Sequence, residues 1–321
     1  MKALFRFIIL ALIATMFSAC SSDEPKPLLK VGLNQWVGYQ PMLLARSLGF
    51  YDKKQIKLAE LPSTTDAIHL LQAGELDAAA LTLDEALLVI DHGTALTVVL
   101  VFDSSEGADV LIARPNIKHL QALKGKRIGV ESSAVGNMML HSILKKAKLN
   151  EQDVHIVYLT LDEHVSAYKN GEVDAVITFE PSRTHLLKMG GHELFTSRMI
   201  PNLIIDVLAV RTDQLQKQHA NIQTLIDGYY KARHQMATKT ADAMQRMAPS
   251  VGMTPTELQA SFKGLKLPSL AENKALFSGQ PSPFEKSAHI ILKTLQDTGE
   301  IDQPLNLTLL QNSTFLNAVQ P

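Results

Sequence analysis

The chain has 321 residues, of which 46% are hydrophobic and 20% are charged, as is typical of a soluble globular protein with one or two domains. Its formal net charge of −1 argues against a protein that bulk electrostatics would hold on nucleic acid or on a membrane surface. The sequence contains one cysteine, which excludes an internal disulfide.

The first twenty residues have the pattern of an export signal. Two basic residues precede an apolar run, 7–17, that is too short to span a bilayer permanently, and two small residues come directly before Cys20. This ending resembles the bacterial lipobox, which implies removal of residues 1–19 and lipidation of Cys20. Ordinary signal cleavage that leaves Cys20 idle is the alternative. Residues 20–27 are polar and contain proline, so we expect a flexible tether.

From Leu29 onward, short apolar β-branched runs alternate with helix-length periodic segments. This alternation predicts an α/β protein with mostly parallel sheets. Several predicted helices stop at a glycine suited to a C-cap, as at Gly49. Beyond residue 213 the chain is mainly helical, with long helices expected over 221–247 and 283–298. The predicted strands are 30–35, 56–61, 78–82, 95–102, 109–113, 127–130, 154–159, 175–178 and 206–211.

The phrase G-E-x-D-A occurs twice, at Gly74 and Gly171, each time between a predicted helix and an apolar strand. Two widely separated copies of this motif are consistent with two similar α/β lobes. The alternative is that a common helix-turn-strand motif occurs twice by chance. Extended runs at 109–113 and 204–212 would carry the chain across and back, and two crossings make a hinge. We therefore expect a first lobe of 28–106 and 206–321, including the helical tail, and a second lobe of 107–205.

Four motifs in order carry a family resemblance: W-V-G-Y-Q-P from Trp36, L-Q-A-G-E-L-D-A-A from Leu71, L-K-G-K-R-I-G-V-E-S-S from Leu123 and G-E-V-D-A-V-I-T-F-E-P from Gly171. Over about 29–211 the chain resembles substrate-binding proteins of ABC importers, specifically the nitrate, sulfonate, taurine and pyrimidine-precursor group. The resemblance implies a hinged, two-lobed type II periplasmic-binding-protein fold with helices flanking two sheets. It also implies that a ligand is caught between the lobes and delivered to a membrane permease.

The ligand site is expected beyond the carboxyl ends of the strands, as in other open α/β sheets. Residues there are polar or aromatic, whereas the strands themselves are apolar, and this combination suits small-molecule recognition. The alternative for Trp36, the only tryptophan, is simple core packing. The candidate ligand-binding residues are Trp36, Tyr39, Thr64, Thr65, Thr82, Asp84, Asp103, Ser132, Ser133, Glu180 and Asp206.

These candidates suggest two kinds of ligand chemistry. Ser132 or Ser133 can cap a helix whose free N–H groups would hold a sulfonate, carboxylate or phosphate, and 63–67 offers the same on the first lobe. Plain N-capping is the alternative. Glu180 and Asp206 adjoin or interrupt apolar runs, where each needs a partner: a ligand ammonium, a protonated ring nitrogen, or an internal Arg or Lys. The ligand could therefore be an aminosulfonate-like zwitterion or a flat ring such as a pyrimidine.

Sequence motifs for catalysis are missing. The chain has no nucleophile elbow, zincin, P-loop or zinc-ribbon pattern, and its histidines are scattered. We therefore expect a non-enzymatic, monomeric solute-binding lipoprotein on the periplasmic face of a bacterial membrane. It would work with a small-molecule ligand and an ABC permease, without nucleic acid, cofactor or metal. A sensory lipoprotein that signals to a membrane receptor is the main alternative, and an enzyme of the same fold is a weaker one.

Overall fold

A computed structural model describes residues 27–319, so the predicted signal, Cys20 and most of the tether lie outside the described residues. The strands are β1 (Leu29–Leu33), β2 (Ile56–Glu60), β3 (Ala78–Thr82), β4 (Leu96–Ser105), β5 (Val110–Ala113), β6 (Arg127–Val130), β7 (His155–Tyr158), β8 (Ala175–Thr178), β9 (His192–Thr196), β10 (Ile205–Arg211) and β11 (Leu265–Lys266). The α-helices are α1 (Gln40–Ser47), α2 (Thr64–Gln72), α3 (Leu83–Asp91), α4 (Ala134–Ala147), α5 (His164–Asn170), α6 (Ser182–Lys188), α7 (His219–Thr238), α8 (Thr240–Met247), α9 (Pro255–Ser261), α10 (Leu270–Leu276), α11 (Pro283–Asp297) and α12 (Thr314–Ala318).

The strands form two sheets, each at the centre of one lobe. The first sheet has the order β11-β4-β10-β3-β1-β2 and the second has the order β7-β6-β8-β5-β9. Parallel pairing is confined to β1 with β2 and β3, and to β6 with β7 and β8. Eight of the eleven strands run in a common direction within their sheet, as the expectation of mostly parallel sheets requires, and the other pairs are antiparallel. The reason is that β5 and β10 each enter their sheet from the other lobe, and so run against their neighbours.

The helical tail packs against the first sheet. One large apolar core joins β1, β3, β4 and β10 to residues of α1, α7 and α11, whereas two smaller cores cover the second sheet. The helix expected over 221–247 is interrupted at Lys239, whose backbone (φ −133°, ψ 54°) is not helical. This break lets α8 pack against both α1 and α7. Within residues 27–319, no helix is both long and apolar enough to cross a membrane.

A hydrogen-bond network ties the two chain crossings together. At the end of β4, the hydroxyl of Ser105 lies 2.7 Å from the hydroxyl of Ser197, which follows β9 on the returning segment. The N–H of Gly107 donates to the same Ser197 oxygen, and the N–H of Asp109 donates to Ser105 Oγ. Gly107 has a φ of +113°, a conformation that side chains disfavour. The crossings therefore form one compact joint between the lobes.

Candidate functional site: a cleft between two lobes

A small cavity of about 30 Å³ lies between the two lobes. It sits at the carboxyl ends of β1, β3, β6 and β8, where the sheet rule places a ligand. A smaller adjoining cavity, of about 10 Å³, shares part of this lining and extends to Ser133 and His164. The first lobe lines the main cavity with Asn34, Trp36, Tyr39, Thr64, Thr82, Glu85 and Asp206, and the second lobe with Asp109, Glu131, Val135, Phe179 and Ile204.

Two contacts hold the lobes together across this cleft. The ring of Trp36 meets the ring of Phe179 edge to face, with centroids 5.3 Å apart and an interplanar angle of 81°. Such a pair contributes about 0.5–1.5 kcal/mol beyond its buried area. Farther out, Lys188 Nζ lies 2.6 Å from Glu257 Oε1. The structure is therefore in a closed arrangement, with a small cavity bounded from both sides.

Behind Trp36, two carboxyl groups face one another. Asp206 on β10 is directly opposite Asp103 on β4, and both side chains are buried. The indole Nε1 of Trp36 donates to Asp103 Oδ2 at 3.2 Å, and the hydroxyl of Tyr39 donates to Asp206 Oδ1. Burial raises the pKa of Asp103 to about 8, and burial followed by repulsion from Asp103 raises the pKa of Asp206 well above its usual value. Trp36 and Tyr39, which are far from both acids in the sequence, thus stabilise two carboxyl groups that would otherwise be unfavourable side by side.

Gly38 allows this arrangement by bringing the backbone close to the acid pair. A Cβ atom at position 38 would lie 1.9 Å from Asp103 Oδ2 and 2.6 Å from Trp36 Nε1. Neither contact is sterically possible, so a side chain here would displace the carboxylate or the indole. The W-V-G-Y motif therefore provides the indole, the phenol and the space that they need.

Further carboxyl groups line the cavity itself. Glu85, in the first turn of α3, accepts the N–H of Thr82 at 2.9 Å, yet burial, followed by repulsion from Asp84, raises its pKa to about 8. Burial also raises the pKa of Asp109 to about 6, against the lowering effect of the Ser105 hydroxyl, and raises that of Glu131. No Arg or Lys is among the residues that line either cavity. The cleft is therefore lined by carboxyl groups without a basic partner, and burial favours their protonated form.

Seven of the eleven predicted ligand-site residues lie at or beside the cleft. Ser133 lines the adjoining cavity, and Asp103 lies directly behind Trp36. The remaining five line the main cavity: Trp36, Tyr39, Thr64, Thr82 and Asp206.

The other four predicted residues lie outside both linings, and the structure corrects their expected positions. Glu180 is paired internally: Arg183 Nη1 lies 3.0 Å from its Oε1, and the N–H of Thr184 donates to its Oε2. Asp84 belongs to the first turn of α3 and is fully buried. Thr65 and Ser132 are exposed to solvent, because neighbouring serines take the capping positions.

The helix ends expected to bind an anion are capped from within the chain. Ser133 accepts the N–H of Gly136 at the start of α4, and Ser63 accepts the N–H of Asp66 at the start of α2. Glu131 also lines the cavity next to the first turn of α4. Both helix ends therefore match the alternative in which the serine only caps the helix, and the carboxyl group of Glu131 lies beside the start of α4.

Three acids of the cavity lining are absent from the eleven predicted residues: Glu85, Asp109 and Glu131. Asp109 opens the apolar run D-V-L-I-A, a signal like the one that marked Asp206 within N-L-I-I-D-V-L-A-V. Glu85 belongs to an ordinary helix-capping pattern, T-L-D-E, which does not indicate a ligand site. Its position in the cavity lining is visible only in the folded structure. Among residues 27–319, no group of three or more His, Cys, Asp or Glu side chains is arranged to hold a metal ion.

Two hinged α/β lobes with a cavity between them define a periplasmic-binding-protein fold of type II. The chain belongs to the NMT1-like family, whose sequence model matches residues 22–250. It is 21% identical over 268 residues to the putative aliphatic sulfonates-binding protein of Escherichia coli K12, an alignment that covers 82% of this chain and 83% of the relative. The recognition made from the ordered motifs is thus confirmed.

Solved structures show how widely the fold is used. The ligand-binding component of an ABC-type import system from Staphylococcus aureus, solved with zinc bound, superposes with a TM-score of 0.75 at 14% identity, covering 91% of this chain and 99% of that one. The desulfurization enzyme DSZB superposes with a TM-score of 0.64 at 15% identity, covering 90% and 98%. Both binding proteins and an enzyme therefore share this architecture.

Proposed function

We propose that the protein is a lipid-anchored, monomeric solute-binding protein that captures a small molecule between its lobes and delivers it to an ABC permease. The observation that carries this proposal is the cavity lined from both lobes at the carboxyl ends of their strands. Its relatives include periplasmic substrate-binding proteins of ABC import systems. These relatives support a place on the periplasmic side of the membrane.

Ligand capture would work through the equilibrium between open and closed lobes. With lobes of 28–106 and 206–321 against 107–205, the Ser105–Ser197 joint lies where the chain crosses between them. A ligand that touches both Asp206 and Asp109 makes all its contacts only in the closed form. It shifts the equilibrium by the difference between its affinities for the two forms. The closed form would then dock on the permease.

The tether that connects the lipidated Cys20 to the folded lobes would join them on the side away from the cleft. The carbonyls of Pro27 and Leu28 accept hydrogen bonds from Asn221 and Gln218, which fix the start of β1 against α7. The cleft lies at the other end of β1, so the tether does not obstruct it. The seven residues 20–26 span at most about 25 Å, which would keep the protein near the membrane.

The anchor has its own test. A Cys20→Ser variant is expected to move from the membrane fraction to the soluble periplasmic fraction, and mass spectrometry of the natural protein should find an acylated N-terminal Cys20. An unmodified Cys20 in the mature protein would contradict the anchor while leaving solute capture intact.

The histidine nearest the cleft supports binding without catalysis. His164 lines the adjoining cavity, with Nδ1 3.0 Å from the hydroxyl of Thr178. Burial lowers the pKa of His164 to about 4, so it is neutral at pH 7 and a weak base. The sequence has no cysteine beyond Cys20 to act as a nucleophile. We therefore propose that the bound molecule leaves unchanged.

Solute capture is tested by thermal unfolding of residues 28–321 against a panel of small amines, sulfonates, nitrate, amino acids and pyrimidines. A ligand that binds only the folded state raises the melting temperature, by an amount that grows with its concentration. Recovery of the bound compound unchanged after prolonged incubation is the matching test of non-catalysis. A panel without a single saturable hit, or a hit that is chemically converted, would contradict the proposal.

A further inference from the structure

The geometry points to an organic cation as the ligand: a small molecule with an ammonium group or a protonated ring nitrogen attached to a flat or apolar part. This inference rests on the proposed solute-binding function and adds the charge class of the solute. The inferred ligand is a cation, whereas the E. coli relative is named for binding sulfonates, which are anions.

The charge of the lining is the first observation. Four carboxyl groups face the main cavity, those of Glu85, Asp109, Glu131 and Asp206, and no Arg or Lys accompanies them. Among residues 27–319, the ion pairs of the structure involve none of these four side chains. A sulfonate or nitrate placed here would find no basic side chain to pair with, whereas an ammonium would favour the ionised form of carboxyl groups that burial alone keeps protonated.

Hydrogen-bonding capacity is the second, independent observation. Asp109 and Asp206 are only 5% and 2% exposed, yet Oδ2 of each has no hydrogen-bond partner among the described residues. Buried polar atoms are nearly always hydrogen-bonded, so two such oxygens in one cavity lining need an explanation: without a ligand, Asp206 can share a proton only with the neighbouring Asp103 carboxyl, and Asp109 Oδ2 has no donor among the described residues. The two oxygens come from different lobes. An ammonium has up to three N–H donors, and by bonding both oxygens it would stabilise the closed form.

The remaining lining fits the carbon part of such a molecule. Trp36, Phe179, Val135 and Ile204 supply aromatic and aliphatic surface in the same cavity. Aromatic faces also attract cations, contributing about tenfold or more in affinity when the cation is desolvated. A bare metal ion would leave these apolar surfaces unused. An organic cation uses both the carboxylates and the apolar wall.

The test compares three compounds that share a benzyl group and carry a positive, a neutral and a negative head group: benzylamine, benzyl alcohol and phenylmethanesulfonate. Affinities for residues 28–321 are measured by calorimetry at pH 7, beside a wider panel of primary amines, quaternary ammonium compounds, sulfonates and uncharged molecules. Benzylamine is expected to bind at least about tenfold more tightly than the alcohol, since a hydrogen bond to a charged group is worth roughly that factor or more. Sulfonate binding as tight as amine binding would overturn the inference.

Isosteric variants assign the effect to the carboxylates. Asp109→Asn and Asp206→Asn are each expected to weaken amine binding about 10- to 100-fold while leaving alcohol binding within about threefold. Asp84→Asn is the matched control, because Asp84 is equally buried but outside the cavity lining. Unchanged amine affinity in both cleft variants would overturn the inference. Retained alcohol binding shows that a variant still folds.

The outcomes separate this inference from the proposed function. Saturable binding of sulfonates alone would overturn the cation inference and leave solute capture standing. If no compound of any charge class binds, solute capture itself fails, and the inference about its ligand fails with it.

Discussion

Replacing Gly38 with alanine tests the arrangement of Trp36 and Asp103 most sharply. The new Cβ would lie 1.9 Å from Asp103 Oδ2, so the carboxylate must retreat by about 1 Å or more to reach normal contact. The hydrogen bond from Trp36 Nε1, now 3.2 Å, would be lost. Overpacking costs about 1–3 kcal/mol and the lost hydrogen bond about 1 kcal/mol, so we expect Gly38→Ala to lower the free energy of unfolding by about 2–4 kcal/mol.

The assay is urea unfolding of residues 28–321, followed by circular dichroism and by the fluorescence of Trp36. A double-mutant cycle with Asp103→Ala provides the control, because removing the carboxylate also removes the clash. The combined loss should then be smaller than the sum of the two single losses by about 1 kcal/mol or more. A Gly38→Ala loss below about 0.5 kcal/mol, or strictly additive losses, would refute this account of Gly38.

Three further predictions follow from the same cleft. Trp36 is the only tryptophan, so its emission should change when a ligand saturates the protein, and an unchanged spectrum would contradict its place in the cavity wall. Lys188→Ala should weaken ligand binding by no more than about threefold, because the Lys188–Glu257 pair is partly exposed; a larger loss by calorimetry would show a stronger role in closure. The free energy of unfolding of the ligand-free protein should fall as the pH rises from about 4 to 8, by at most about 1.4 kcal/mol per pH unit for each group. In that range folded Glu85 and Asp103 hold protons that the unfolded chain has released, so stability that rises between pH 5 and pH 8 would contradict the pKa shifts. The charged or titratable groups around these two acids are Tyr39, Asp84, Asp109, Glu131, Asp206 and Arg233, of which Arg233 alone favours the ionised form.

The buried strands were predictable because their signals are local. The bounds of β3, β6 and β8 match the prediction, since each is a short apolar run bounded by polar residues. In contrast, β9 and β11 were missed. The sequence H-E-L-F-T of β9 has only two apolar residues and forms an edge strand, and β11 has two residues in all. The antiparallel pairing of β5 and β10 could not be predicted either, because it depends on the lobe from which each strand enters its sheet.

The candidate site was predictable where it follows from strand ends. Trp36 and Thr82 were picked out by that rule and lie in the cavity lining, whereas Asp206 was picked out because it interrupts an apolar run. Side-chain pairing could not be found in this way: the Arg183 that neutralises Glu180 is three residues away and equally consistent with an exposed arginine. Nor could the sequence show that carboxyl groups from both lobes line one cavity with no Arg or Lys beside them. That convergence, and the ligand charge that it implies, depends on the closed arrangement of the lobes.

Small-angle X-ray scattering tests the central claim, that a solute bound between the lobes closes them, most directly. Residues 28–321 are measured alone and with a saturating concentration of the compound that gives the largest thermal shift. The account predicts a smaller radius of gyration with ligand, because ligand contacts from both lobes favour the closed form. The Asp109→Asn/Asp206→Asn double variant should not contract at the same ligand concentration. An identical radius of gyration with and without ligand, at confirmed saturation, would contradict capture by closure.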